Sequence, residues 1–133
     1  MVLSIPIPKA IMIAWSMVFL FAVLNVYGAF ILKSQVQKMG VINIYSLSTC
    51  IDFFMRLMFS WQTILGMGLL FMAACAWMIA LGNLELSRAY PVALCLNLLF
   101  TFFLAIFLYH EPISHLKIVG MILIVAGIIA LLK

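Results

Sequence analysis

Long stretches without an ionised residue are the feature that most constrains how this chain can fold. The first of them runs from Ile11 to Leu32, and a helix that crosses a bilayer needs about 20 mostly apolar residues. Only 8% of the 133 residues are charged, whereas a soluble domain carries about 25%. The chain is therefore predicted to be an all-α membrane protein with room for four transmembrane helices and no separate domain outside the membrane.

The predicted transmembrane helices cover about residues 11–32, 61–81, 88–109 and 116–132, and together they form a single domain over residues 1–133. The first stretch is longer than the apolar part of a signal peptide and no small-residue cleavage motif follows it. We therefore expect it to be retained as a helix.

The segment of about residues 41–60, between the first two transmembrane helices, mixes polar and apolar residues. A polar residue recurs every four positions, at Ser48, Asp52, Arg56 and Ser60. This period predicts an amphipathic helix that lies at the membrane surface. Asp52 and Arg56 have the spacing of an ion pair on one helical face, and the pattern assigns no further role to the polar stripe.

Polar side chains inside the third predicted helix share one face. Tyr90, Asn97 and Thr101 are spaced by seven and four residues, so they project in the same direction. In the first helix, Asn25 and Gly28 are one turn apart. Polar side chains are costly against lipid, so they are expected to face a bundle interior or a cavity. They serve either as hydrogen bonds between helices or as a binding surface.

Small residues mark two further helix faces. On the second helix, one face carries Gln62, Gly66, Ala73 and Trp77. On the fourth helix, Gly120 and Gly127 lie seven residues apart on one side. Small residues let helices approach closely in lipid, and we expect the fourth helix to use its glycine side for dimer packing.

Several functional classes find no support in the sequence. Cys50, Cys75 and Cys95 show no C-x-x-C spacing and are expected to be inert apolar residues. His110 and His115 are five residues apart and do not share a helical face, so no metal and no cofactor are predicted. The chain is not expected to be an enzyme, because no nucleophile or pair of carboxylates converges on one helix. Its scattered cations do not form a nucleic-acid-binding patch.

The distribution of cations does not fix the orientation of the chain in the membrane. With four transmembrane helices, three cations lie on the side of the N-terminus and four on the other, namely Lys9, Arg88 and Lys133 against Lys33, Lys38, Arg56 and Lys117. This is almost no positive-inside bias. Transporters commonly use inverted repeats to alternate between two faces, so we predict an antiparallel homodimer, or a heterodimer with a sister four-helix subunit.

The segment "AVLNVYGAFILKSQ" resembles the first helix of the small multidrug resistance proteins, within the drug/metabolite transporter superfamily. In that family a carboxylate is followed by glycine after three residues and by lysine after eight. The corresponding positions here are Asn25, Gly28 and Lys33. The spacing matches, but the carboxylate is replaced by an amide.

The C-terminal half is similar to the superfamily over roughly 50 residues, through "AYP" at the start of the third helix, "LN" within it, "HEPIS" after it and Gly-x6-Gly in the fourth. This combination most resembles the small subunits that flip aminoarabinose-phosphoundecaprenol across the bacterial inner membrane. The segment of about residues 41–60 lengthens the connection found in compact four-helix drug exporters.

The resemblance to drug exporters implies proton exchange at a buried carboxylate, whose pKa is raised by desolvation. Asn25 cannot ionise, and the acids Asp52, Glu85 and Glu111 are predicted to lie in loops or in the surface helix. The resemblance to flippase subunits therefore fits better, with a lipid-linked sugar as substrate. The candidate substrate-binding residues are Asn25, Lys33, Trp77, Arg88, Tyr90, Asn97 and Thr101.

Within this set, the neutral side chains are predicted to hydrogen-bond a sugar, and Lys33 and Arg88 to bind the lipid phosphate. Those two cations could equally serve only to anchor helix ends to headgroups. Two other functions stay open. One is export of small cations, polyamines or drugs, which would require Glu85 or Asp52 to lie within the membrane. The other is a non-transporting subunit that stabilises a partner.

Overall fold

The computed structural model describes residues 7–40, 47–110, 112 and 114–132, without the side chains of residues 7, 8, 131 and 132. Within this part of the chain the helices are α1 (Ile7–Met39), α2 (Leu47–Met58), α3 (Trp61–Leu81), α4 (Leu86–Tyr109) and α5 (His115–Leu132). The predicted all-α class is confirmed. By length and composition, α1, α3 and α4 can each cross a membrane, and α5 is a shorter apolar helix.

Helix α1 is longer than predicted, because Lys33 does not end it. The helix continues to Met39 through lysine, glutamine and methionine, which favour helix. It ends before Gly40, whose φ of 86° is the left-handed conformation that terminates many helices. The 33 residues of α1 correspond to roughly 50 Å at about 1.5 Å per residue. Because a bilayer core measures only about 30 Å, α1 must tilt or project from it.

Helix α2 covers part of the predicted amphipathic segment, whose residues 41–46 lie outside the described residues. Leu47, Ile51 and Phe54 expose more than half of their surface. The assignment of Ser60 to this helix was wrong. Ser60 is the N-cap of α3, where its hydroxyl accepts a hydrogen bond from the Thr63 backbone N–H at 3.2 Å. Between Asp52 and Arg56, both within the described residues, the predicted ion pair is not formed.

Helices α1 and α3 are antiparallel and make the most extensive helix contact of the described chain. Lys38 at the end of α1 donates to Gln62 at the start of α3 over 3.2 Å. About one turn further along α3, a Cβ atom added to Gly28 would lie 3.0 Å from the carbonyl oxygen of Gly66. The close approach predicted from small residues is therefore present, and the buried residues of α3 are Thr63, Gly66, Ala73, Ala76 and Ala80.

Helix α4 packs along α1 beside α3. It begins at Leu86 rather than at Arg88 and includes Pro91. Pro91 is the sixth residue of the helix, beyond the first turn, and because it has no N–H the backbone hydrogen bond to the carbonyl of Ser87 is missing. The core of the described helices forms where α1, α3 and α4 meet, around Val18, Ala80 and Ala93.

Helix α5 is peripheral and packs against α4 alone among the described helices. Before α5, the chain leaves α4 at His110, which ends α4 in a left-handed conformation with φ of 48°. A Cβ atom added to Gly120 or to Gly127 would find no described atom within 4 Å. The glycine side of α5 is therefore open in the single chain, and its use in dimer packing stays a prediction.

Candidate functional site between α1 and α4

Two asparagines meet where α1 and α4 pass each other. The Nδ2 atom of Asn25 donates to the Oδ1 atom of Asn97 over 3.4 Å, and both side chains are half-buried. This is longer than the usual N–H···O distance of about 2.9–3.0 Å. Each carboxamide offers two N–H donors and one carbonyl acceptor. The contact uses one donor and one acceptor, so the pair keeps hydrogen-bonding capacity for a ligand.

We call the line of contact between α1 and α4 the seam. A cleft of about 110 Å³ opens on this seam, beyond the asparagine pair. Its walls come from α1 and α4 and consist of Val26, Ala29, Phe30, Lys33, Thr101, Leu104, Ala105 and Tyr109. A pocket for a drug-sized molecule measures about 300–1,000 Å³. The cleft therefore has the size of a single small group and not of a whole lipid-linked sugar.

Lys33 and Tyr109 contact each other in this cleft. The Lys33 Nζ atom lies 3.9 Å from the centre of the Tyr109 ring, a distance at which a cation is attracted to the face of an aromatic ring. Phe30 packs edge-on against the same ring at 5.6 Å between centroids. Lys33 thus contacts the last residue of α4 and does not cap α1.

Aromatic residues line the opposite end of the α1–α4 seam. Trp77 contacts Phe21 at 5.0 Å and Tyr90 at 6.2 Å between ring centroids. Tyr90 is itself 53% exposed. Near this end, the Nε atom of Arg88 lies 3.5 Å from the Oε2 atom of Glu85, and both side chains are mostly exposed.

The structure distributes the seven predicted substrate-binding residues along the seam. It brings together three pairs, which are Asn25 with Asn97, Lys33 with Thr101, and Trp77 with Tyr90. Arg88 joins none of them. Tyr90, Asn97 and Thr101 share a helical direction, as predicted, but each faces different neighbours. The site is therefore a line of polar and aromatic groups rather than one pocket.

Sequence reasoning missed Tyr109. Its hydroxyl oxygen is buried and, within the described residues, has no hydrogen-bond partner. The available signal was its position about two helical turns after Thr101. That signal had little value alone, because a tyrosine at a helix end is also typical of a membrane interface.

The two acids within the described residues lie away from the seam. Asp52 is exposed on α2, and Glu85 is exposed at the turn before α4. Glu111 lies outside the described residues. The candidate transmembrane segments Lys9–Met39, Trp61–Leu81 and Leu86–Tyr109 contain no Asp or Glu. The centre of the seam is thus neutral, in contrast to the carboxylate of drug exporters.

The chain is similar to curated bacterial proteins named "probable 4-amino-4-deoxy-L-arabinose-phosphoundecaprenol flippase subunit ArnE". The protein from Pseudomonas aeruginosa is 34% identical over 71 residues, which are 53% of this chain and 58% of the relative. The protein from an Enterobacter species is 42% identical over 67 residues, which are 50% of this chain and 62% of the relative. The match thus spans less than two thirds of these relatives.

No family model and no solved structure matches the chain. The expected resemblance to small flippase subunits is confirmed by the named relatives. Together with three long apolar helices, it indicates a multi-pass membrane protein, which in bacteria belongs to the inner membrane. Over about half of its length, the chain is similar to these proteins named as ArnE flippase subunits.

Proposed function

We propose that this chain is a subunit of a flippase that moves a polyprenyl-phosphate-linked sugar, of the aminoarabinose class, across the bacterial inner membrane. The observation that carries the proposal is the neutral Asn25–Asn97 contact at the meeting of α1 and α4. A proton-coupled exporter of cations needs an ionisable group there. An amide pair instead offers hydrogen bonds that suit the hydroxyl groups of a sugar ring.

The nature of the cargo explains why a seam suffices. The prenyl tail of the lipid stays in the bilayer while only the polar head crosses. The protein must therefore supply hydrogen bonds along its lipid-facing side and need not enclose the whole molecule. Trp77, Tyr90, the asparagine pair and Thr101 provide aromatic and hydrogen-bonding groups in succession along such a path.

The proposal includes four transmembrane helices in one domain, with α2 at the membrane surface. The 18 residues of α5 correspond to about 27 Å, close to the roughly 30 Å of the bilayer core. Helix α2 exposes Leu47, Ile51, Phe54 and Met55, as expected for an interfacial helix that buries them among lipids.

The lipid phosphate is assigned to two cations at opposite ends of the seam. Lys33 lies beside Tyr109 at the end of α4, and Arg88 lies at its start. In an antiparallel pair, either a homodimer or a heterodimer with a sister subunit, each membrane side carries one of each. Such a pair can bind a phosphate at either leaflet, as alternating access requires.

A second candidate is a subunit that stabilises a partner without binding cargo. The relatives are named as subunits, and the described helices form only one wall of a transport path. The two candidates differ in whether residues of this chain contact the lipid.

We expect Arg88→Gln to lower lipid translocation by about tenfold or more, since a hydrogen bond to a charged group is of the order of 1.5–3 kcal/mol. Membrane insertion and assembly should be unchanged, because Arg88 is mostly exposed. The measurement is transport of labelled lipid in proteoliposomes that contain equal amounts of each variant.

The matched control is Glu85→Gln, which removes the ion-pair partner of Arg88 and keeps the cation. This variant should transport at least as well as the original chain. Full activity of the Arg88→Gln protein would contradict a phosphate-binding role for Arg88.

A further inference from the structure

The Tyr109 hydroxyl is a buried donor for which none of the described residues provides an acceptor. Its oxygen is covered and has no hydrogen-bond partner among the described residues. Buried tyrosine hydroxyls usually find a partner, and each buried polar group left without one requires an explanation. A ligand that accepts a hydrogen bond would provide it.

The surroundings of this hydroxyl favour an anion. The Lys33 ammonium lies over the Tyr109 ring, and Thr101 also lines the cleft. The other lining residues are apolar, so a charge bound there interacts more strongly than it would in water. A cation beside a tyrosine and a threonine in a small apolar cleft suits a phosphate oxyanion.

We propose that this cleft binds the phosphate of a polyprenyl phosphate, with Lys33 as the cation and the Tyr109 hydroxyl as a hydrogen-bond donor. This inference rests on the proposed flippase function and makes Tyr109 a specific contact of its cargo. The volume of about 110 Å³ accommodates the phosphate, while the prenyl tail and the sugar remain outside the cleft.

Access to the hydroxyl requires a local movement. Because the oxygen is covered, a ligand reaches it only after a neighbouring side chain shifts. Lys33 is exposed and lies on the Tyr109 ring, and its side chain is long and flexible. The ammonium then follows the phosphate from the mouth of the cleft toward the hydroxyl.

The test is equilibrium binding of undecaprenyl phosphate to the full chain in detergent micelles. We expect Tyr109→Phe to weaken binding by about tenfold, the order expected for one hydrogen bond to a charged group, and Lys33→Gln to weaken it further. Tyr109→Phe keeps the ring that contacts Phe30 and Lys33. Tyr27→Phe is the matched control, because Tyr27 lies on α1, is 55% exposed and does not line the cleft.

Competition experiments with two other phosphate compounds identify which kind of phosphate the cleft binds. Inorganic phosphate and phosphatidylglycerol should compete only weakly with undecaprenyl phosphate. Equal binding of either one would overturn the assignment to a polyprenyl phosphate, and wild-type affinity of Tyr109→Phe would overturn the role of the hydroxyl. If Tyr109→Phe weakens binding but the wild-type chain does not transport the lipid, either alone or with a sister subunit, the phosphate site is supported and the flippase proposal is contradicted.

Discussion

Replacing Gly66 by valine is expected to destabilise the protein by about 1–3 kcal/mol, the range seen when side chains are forced into packed sites. A Cβ atom at this position would lie 3.1 Å from two carbons of Leu32 and 3.3 Å from the carbonyl oxygen of Gly28. Optimal contacts between carbon atoms are about 3.5–4.0 Å. Because helix association in lipid depends on close packing, moving α1 away from α3 removes much of what holds them together.

Gly68 provides the matched control for this substitution. It lies on the same helix two positions later, and a Cβ atom added there would meet no described atom within 4 Å. Gly68→Val should therefore leave stability nearly unchanged. Thermal unfolding of both variants in the same detergent measures the difference. Equal losses in the two variants would show that the α1–α3 contact is not as close as the structure indicates.

The asparagine pair allows a structural role to be separated from a role in transport. Asn25→Leu or Asn97→Leu alone leaves the other amide without its partner and is expected to cost up to about 1.7 kcal/mol, the largest value typical of such bonds in membranes. Replacing both partners by apolar side chains of similar shape can be nearly neutral. The double variant is therefore expected to recover much of the lost stability.

Transport should not recover in the same way. If Asn25 and Asn97 bind the sugar, the double leucine variant will be stable and will translocate the lipid at least tenfold more slowly than the original chain. Unfolding and lipid transport are measured for the original chain, the two single variants and the double variant. A stable double variant with full transport would show that the amides serve only to join α1 to α4.

Local sequence patterns were sufficient where a helix depends on its own residues. Helix α3 spans the residues predicted for it, 61–81, because a long run without charged residues begins directly after the capping residue Ser60. The same Ser60 was misplaced onto the preceding helix, since a four-residue polar period continues past the end of α2. Periodicity alone does not distinguish a helical position from a cap.

Contacts between distant residues were the part that the sequence did not predict. Asn25 and Asn97 are separated by 72 positions, and the spacing on each helix gave their faces but not their contact. The first helix was predicted to end at about residue 32, whereas the contact of Lys33 with Tyr109 is made within a helix that continues to Met39. Both contacts depend on how α1 packs against α4, and this packing cannot be inferred from the sequence pattern of either helix alone.

The central claim is tested most directly by comparing two cargoes in one preparation. The purified chain, alone and with a sister subunit, is placed in proteoliposomes whose bulk lipids carry no amino group. The vesicles also contain aminoarabinose-phosphoundecaprenol and an internal pH dye. A membrane-impermeant reagent that reacts with amines then measures how much of the sugar lies in the outer leaflet. The account predicts that the sugar crosses the membrane and that added cationic drugs produce no change in internal pH. Proton exchange driven by a cationic drug, with the lipid sugar confined to its original leaflet, would contradict it.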